Sequence, residues 1–197
     1  MRLLLDLGGV VIKTPFEMLH LLGNPPWTGP FDPSKDDLWR AMQQNEISER
    51  DYWERRAREY FDGVDPMRQL FKALLDQPED EVVRPELVEL LADVERPAAL
   101  TNDMSRFHSQ QWIDRMSVLS RFVPLIDLSA HEVLKPEPAA FELALRLLQQ
   151  EASEVLFVDD QQKNLDGAAQ VGMNICWFDV TNVAGSIAQI KERLAIG

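Results

Sequence analysis

Residues 2–9 read Arg2-Leu3-Leu4-Leu5-Asp6-Leu7-Gly8-Gly9, and Val10-Val11 follow. An unbroken apolar run that stops at an acid and leaves through a glycine pair has the pattern of a strand buried on both faces, at the centre of a parallel sheet. Four more short apolar runs recur along the chain, at 97–101 (PAALT), 124–128 (PLIDL), 155–158 (VLFV) and 174–178 (NICWF). Helical patterns separate them. Ser105–Leu119 is one, and Pro138–Leu148 is another, with Phe141, Ala144, Leu145 and Leu148 at helical spacing. Asn164–Val171 is a short helix of small residues bounded by Gly172. Strand alternating with helix predicts an α/β core with a doubly wound parallel sheet of about five strands.

The stretch from 16 to 93 breaks this rhythm. It carries no strand pattern but three helix starts: Ser48 with Asp51 three residues on, Asp65-Pro66, and Arg84-Pro85. Four of the chain's 12 prolines crowd into 24–33 (NPPWTGPFDP), which reads as a loop. The expected organisation is therefore an α/β core of residues 1–15 and 94–197, interrupted after its first strand by a helical insert of 16–93.

The charge balance sets limits on partners. Twenty Lys and Arg against 33 Asp and Glu give a formal charge of -13 in 197 residues. Such a field repels nucleic acid and anionic membrane surfaces. A small anionic substrate needs a local cation to overcome it. One cysteine, Cys176, allows no internal disulfide. No apolar run approaches the ~18 residues of a membrane span, and Asp6 with the glycine pair interrupts the first apolar run before it reaches signal-peptide length. The expectation is a cytoplasmic protein.

In open α/β sheets ligands bind beyond the carboxyl ends of the strands. Those ends carry Asp6, Thr101-Asn102 and Asp159-Asp160, and Lys135 stands in Val-Leu-Lys-Pro-Glu-Pro before the helix leading to the fourth strand. Three carboxylates converging on one crevice repel unless a divalent cation sits among them, and an all-oxygen set favours a hard ion, Mg2+ first.

In order and spacing these residues resemble the haloacid dehalogenase superfamily, over nearly the whole chain. Its four motifs stand here as Asp6-Leu7-Gly8-Gly9-Val10-Val11, Leu100-Thr101-Asn102, Lys135-Pro136 and Val158-Asp159-Asp160. The spacing resembles the branch with a helical cap after the first strand, and the fold this implies is Rossmann-like. The resemblance implies that Asp6 attacks phosphorus, giving an aspartyl-phosphate that water hydrolyses. It implies Mg2+ on Asp6, the Gly8 carbonyl, Asp160 and Asp159. Thr101, Asn102, Lys135 and the backbone N–H groups after Asp6, at Leu7 and Gly8, are expected to hold the phosphate, and the cap to cover the site. The expected substrate is a small phosphorylated metabolite, such as a sugar phosphate.

One position departs from the pattern. Most phosphatases of the family carry a second Asp two residues after the nucleophile, as general acid and base, and here Gly8 stands there. Two other functions stay open beside the phosphatase: a phosphate-binding or scaffold protein with little turnover, and a 2-haloacid dehalogenase. The family's dehalogenases lack the acid pair seen here as Asp159-Asp160, which disfavours the last. Of the three histidines, His131 is the candidate to replace the absent acid. The arginines at 50, 55, 56 and 58 and the tryptophans at 27, 39 and 53 read first as a solvated helix face and as core.

Overall fold

A computed structural model describes residues 1–44, 46–102 and 104–196, and of Arg106 the backbone only. The helices are α1 (Asp37–Gln43), α2 (Glu49–Arg58), α3 (Pro66–Leu75), α4 (Glu79–Val82), α5 (Pro85–Asp93), α6 (Met104–Phe107), α7 (Gln110–Arg115), α8 (Pro138–Leu148), α9 (Gln162–Gln170) and α10 (Val183–Leu194). The strands are β1 (Arg2–Leu5), β2 (Ala98–Thr101), β3 (Leu125–Asp127), β4 (Val155–Asp159) and β5 (Asn174–Trp177). All pairings are parallel, in the order β3-β2-β1-β4-β5.

The five apolar runs are the five strands, and β1 lies at the centre. Leu3, Leu4 and Leu5 are all buried, as a strand covered on both faces requires. Leu4 points into a cluster with Leu100, Ile126, Phe141, Phe157, Leu165 and Ala168, formed under α8 and α9. Leu3 and Leu5 face the other side of the sheet by strand alternation. The strand order reverses between β1 and β4, where Leu5 pairs with Val158, so Asp6 just after β1 and Asp159 at the end of β4 emerge side by side. The helical pattern of 105–119 resolves into α6, α7 and a 3-10 turn at Ser117–Arg121, because Ser109 starts a new helix by accepting the Trp112 N–H.

The chain divides into two compact units, residues 1–12 with 78–197, and residues 13–77. The insert boundary therefore differs from the expected 16–93, since α4 and α5 belong with the sheet. The Glu79 carboxylate accepts the Ser117 and Val118 N–H groups, Val83 bridges to Ile12, and Asp93 pairs with Lys191 of α10.

Unit 13–77 is built around one buried carboxylate. Asp36 accepts from the Gly29 and Trp39 N–H groups, the Tyr52 hydroxyl (2.8 Å) and Arg56 (2.5 Å). Burial pushes its pKa up, but these donors together outweigh burial and hold it below the usual carboxylate value. Phe16, Trp27, Trp39, Tyr52 and Trp53 pack edge-to-face and tilted around it, with the Arg56 guanidinium against the Trp27 and Tyr52 rings. Trp27 and Trp53 are core, as expected, and Trp39 is half-buried at its edge. Arg58 pairs with Glu54 at the surface, whereas Arg56 turns inward.

Removing Asp36 from this buried network takes the acceptor from the Gly29 and Trp39 N–H groups and the Tyr52 hydroxyl and leaves Arg56 with the Glu59 carboxylate. Asp36→Ala is expected to lower stability by about 3–5 kcal/mol. Asp37→Ala, which breaks only an exposed pair with Arg40, is expected to change it by less than about 1 kcal/mol. Urea unfolding followed by tryptophan fluorescence measures both; equal effects would contradict the assignment.

Candidate functional site

The turn after β1 carries the first acid. Asp6 is 6% exposed, and its N–H donates to the Val158 carbonyl, which ties it to β4. Its Oδ1 accepts from the Leu7 N–H at 2.7 Å and from Lys135 Nζ at 2.9 Å. Its Oδ2 has no hydrogen-bond donor among the described residues. Lys135, 5% exposed, also reaches Asp159 Oδ2 at 2.8 Å, so one ammonium lies between two carboxylates. Burial pulls the Lys135 pKa down, but Asp159 and Asp6 together raise it, and the lysine stays charged. The Asp6 carboxyl is raised as well, here because burial favours its neutral form. Burial above all raises its carboxyl from 3.8 to about 7; Lys135 lowers it and Asp159 raises it further.

Asp159 is fully buried and its oxygens are filled. Oδ1 accepts from the Gln161 N–H (2.9 Å) and Asn164 Nδ2 (3.0 Å), and Oδ2 from Lys135 and again from Asn164 Nδ2 (3.1 Å). Asp159 thus anchors Lys135, although it was expected among the metal ligands. One oxygen or ligand atom each of Asp6, Asp159 and Asp160 lies within 4.8 Å of the others. The donor set, carboxylate oxygens gathered at one point, fits a hard divalent cation. Asp6 keeps Oδ2 without a donor among the described residues, whereas both oxygens of Asp159 already accept hydrogen bonds.

Asn102 also differs from expectation. Its Oδ1 accepts the Lys135 N–H at 2.8 Å and its Nδ2 donates to the Lys135 carbonyl at 3.0 Å, so its amide clasps the lysine's backbone. Thr101, at the end of β2, is 8% exposed and stands opposite Asp127. Leu7, expected to offer its N–H to phosphate, directs it at Asp6.

The two glycines have separate roles. Gly9 has φ +82°, and a Cβ on it would lie 2.4 Å from Asp160 Oδ2, so only glycine fits. A Cβ on Gly8 meets nothing within 4 Å. His131 lines a cleft with Ser105, Ser129, Glu132, Leu134 and Glu137, a set that includes neither Asp6 nor Lys135.

Three contributors escaped the sequence reading. Asn164 holds Asp159 from the first turn of α9. Gly167 lets α9 approach the Lys135-Pro136 loop, since a Cβ there would lie 2.2 Å from the Pro136 carbonyl oxygen. Arg84 reaches the Gly9 carbonyl. A glycine at the centre of a predicted helix was the signal available for Gly167.

A raised carboxyl pKa has a definite sign in stability. Asp6 contributes fully below its unfolded value, and that contribution is lost as pH rises through about 7. With chelator present, Asp6→Asn is expected to stabilise the protein at pH 8 by on the order of 2–4 kcal/mol and to be near neutral at pH 4. Lys135→Met, which leaves the carboxylates unbalanced, is expected to cost about 3–5 kcal/mol at pH 8. Urea unfolding at the two pH values measures both effects. A pH-independent Asp6→Asn difference would contradict the electrostatic account.

Comparison with known proteins supports a hydrolase of one family. (S)-2-haloacid dehalogenase 2 of Pseudomonas sp. (strain CBS-3) is 31% identical over 97 residues, which are 49% of this chain and 42% of that protein's length. The fold is similar to L-2-haloacid dehalogenase from Xanthobacter autotrophicus, with a TM-score of 0.62 and 16% identity over 89% of this chain and 76% of that one. It is also similar to the HAD family enzyme bt-2542 from Bacteroides thetaiotaomicron, solved with magnesium and inorganic phosphate, with a TM-score of 0.53 and 17% identity over 91% and 94% of the two chains. The family model of haloacid dehalogenase-like hydrolases matches residues 5–172, and the chain belongs to that family.

Proposed function

We propose that this hydrolase is a Mg2+-dependent phosphatase acting on a small phosphomonoester through an aspartyl-phosphate on Asp6. The observation that carries this reading is the gathering of Asp6, Asp159 and Asp160 at one point, with Lys135 able to balance only part of their charge. Displacement at a haloacid carbon needs no cation and no acid pair. A magnesium- and phosphate-bound structure of similar fold agrees with the reading. Bound Mg2+ would lie on Asp6 and Asp160, with the Gly8 carbonyl a further ligand, and would supply charge neutralisation for the phosphoryl group.

The remaining steps belong to the protein. Leu7 N–H and Lys135 hold Asp6 Oδ1, which leaves Oδ2 to attack phosphorus in line. The P–O ester bond breaks as the Asp6–phosphorus bond forms, and the leaving oxygen takes a proton from water, because Gly8 has none to give. A second water then attacks the same phosphorus and gives up a proton to the hydroxide left by the first, which releases orthophosphate and restores the Asp6 carboxylate. Lys135 holds the charge balance throughout, and Thr101 at the end of β2 offers its hydroxyl to a phosphate oxygen.

The haloacid reading is the second one, favoured by the 31% identity with a Pseudomonas dehalogenase. There Asp6 displaces halide at carbon and water hydrolyses the resulting ester. A protein that binds phosphate without turnover is the third.

Phosphate release from a panel of alkyl, aryl and anomeric phosphates, with Mg2+ and with chelator, is expected to depend on metal and to vanish in Asp6→Asn. Halide release from 2-haloacids is expected to be absent. Halide release without phosphate release would transfer the assignment to the dehalogenase, and neither product would leave the binding role. Position 8 has room for a side chain. Gly8→Asp is therefore expected to speed alkyl phosphate hydrolysis by roughly tenfold or more, short of the ~10²–10⁴ of a fully positioned acid, and to leave aryl phosphates nearly unchanged. Equal effects on both ester classes would show that protonation of the leaving group is not what position 8 lacks.

A further inference from the structure

Arg84 is a buried cation that the four motifs do not include. It is 3% exposed and lies in the same unit as the sheet. Its Nε and Nη2 both donate to the Gly9 carbonyl, at 3.3 and 3.1 Å, and its guanidinium carbon lies 5.6 Å from the centre of the Phe178 ring. Its own N–H donates to the Val11 carbonyl at 3.0 Å, and its neighbour Val83 bridges antiparallel to Ile12. The segment entering α5 is thus joined to the turn after β1 twice, through backbone and through side chain.

What it holds lies against the acids. Gly9 is in the left-handed region, donates its N–H to the Ile12 carbonyl at 2.8 Å, and packs so tightly on Asp160 that a Cβ would overlap the carboxylate. Gly9 therefore touches Asp160 and Arg84 at once. A trans peptide keeps its C=O and N–H antiparallel, so fixing the Gly9 carbonyl also fixes the Val10 N–H and the course of the turn that starts at Asp6. An apolar side chain would fill the same space without the cost of burying a guanidinium, which argues for a role in its donors and charge. Lysine cannot reproduce a planar pair of donors on one oxygen.

We propose that Arg84 is a positioning residue for the Asp6 centre: by gripping the Gly9 carbonyl from two nitrogens it holds the turn against Asp160 and sets the spacing of the two carboxylates that take the cation. This rests on the reading of Asp6 and Asp160 as that cation-binding pair. The guanidinium touches neither substrate nor metal in this account, and acts through the Gly9 peptide.

The test uses the full chain with Arg84→Met and Arg84→Lys. Calorimetric titration with Mg2+ alone is the first readout, and kcat and KM on an aryl phosphate the second. Both variants are expected to lose Mg2+ affinity and kcat, by about 10- to 100-fold for Met and less for Lys, as substitutions beside metal ligands do. KM is expected to stay within about threefold. In a third variant, Arg84→Ala, millimolar guanidinium is expected to restore part of the Mg2+ affinity and of the kcat. A folded Arg84→Met with affinity and kcat within about twofold of the parent would overturn the proposal. Should the Met and Ala variants fail to fold, the same result in Arg84→Lys overturns it. A parent that binds Mg2+ but releases no phosphate removes the phosphatase reading alone, and the titration still decides Arg84. A parent that binds no Mg2+ removes both.

Discussion

Lys135 sits within 3 Å of both Asp6 and Asp159 in a site almost closed to solvent, and that ammonium makes the rest of the centre possible. Two buried carboxylates side by side would otherwise repel in a medium that screens poorly, and one of them would take up a proton. Assembling such a triad costs desolvation that the Coulomb attraction only partly offsets. The surroundings reduce that cost by satisfying each group separately. Asn102 clasps the Lys135 backbone, while Asn164 and the Gln161 N–H fill the remaining acceptor sites of Asp159. Gly167 lets α9 come close enough to bring Asn164 within reach. Asp6 Oδ2, left without a donor among the described residues, is the oxygen that the proposed chemistry needs.

The same economy governs the helical insert, where Asp36 gathers four donors beneath a shell of aromatic rings. Here the buried charge serves architecture. Short helices joined by a proline-rich loop have little regular backbone bonding between them, and a single acceptor ties the loop at Gly29 to α1 and α2. The two buried acids, Asp36 and Asp6, are compensated alike and shifted in opposite directions, because donors outweigh burial at the first and burial outweighs donors at the second.

Membership of the family leaves the reaction open, since in the readings proposed above the carboxylate after β1 displaces either at phosphorus or at carbon. The distinction lies in the neighbours of Asp6. Asp160 adds negative charge that a haloacid would have to overcome and a divalent cation would neutralise. Gly8 removes a proton donor that hydrolysis of poor leaving groups requires. Under the phosphatase reading proposed above, the two together favour esters that leave with little help.

Much of this could be read from the sequence. Apolar runs without alternation identified all five strands, because strands covered on both faces need no polar positions. The meeting of Asp6, Asp159 and Asp160 was legible because strand ends in a parallel sheet converge, and that of Lys135 from its place in the resemblance. Three things were not legible. The insert ends at 77 and not at 93, since helix α5 has the same apolar stripe whichever unit it packs on. Asp159 bonds the lysine's ammonium and Asn102 clasps its backbone, contacts that neither residue's type announces. A residue type states what bonds a side chain can make, and only tertiary packing decides which partner lies at 2.8 Å. Arg84 shows this most clearly: as sequence it is the residue before a helix proline, and as structure it is a buried cation on the turn that carries the nucleophile. Local pattern determined the elements and their order, whereas the contacts that tune the site span 75 residues between Gly9 and Arg84, a separation over which no periodicity carries information.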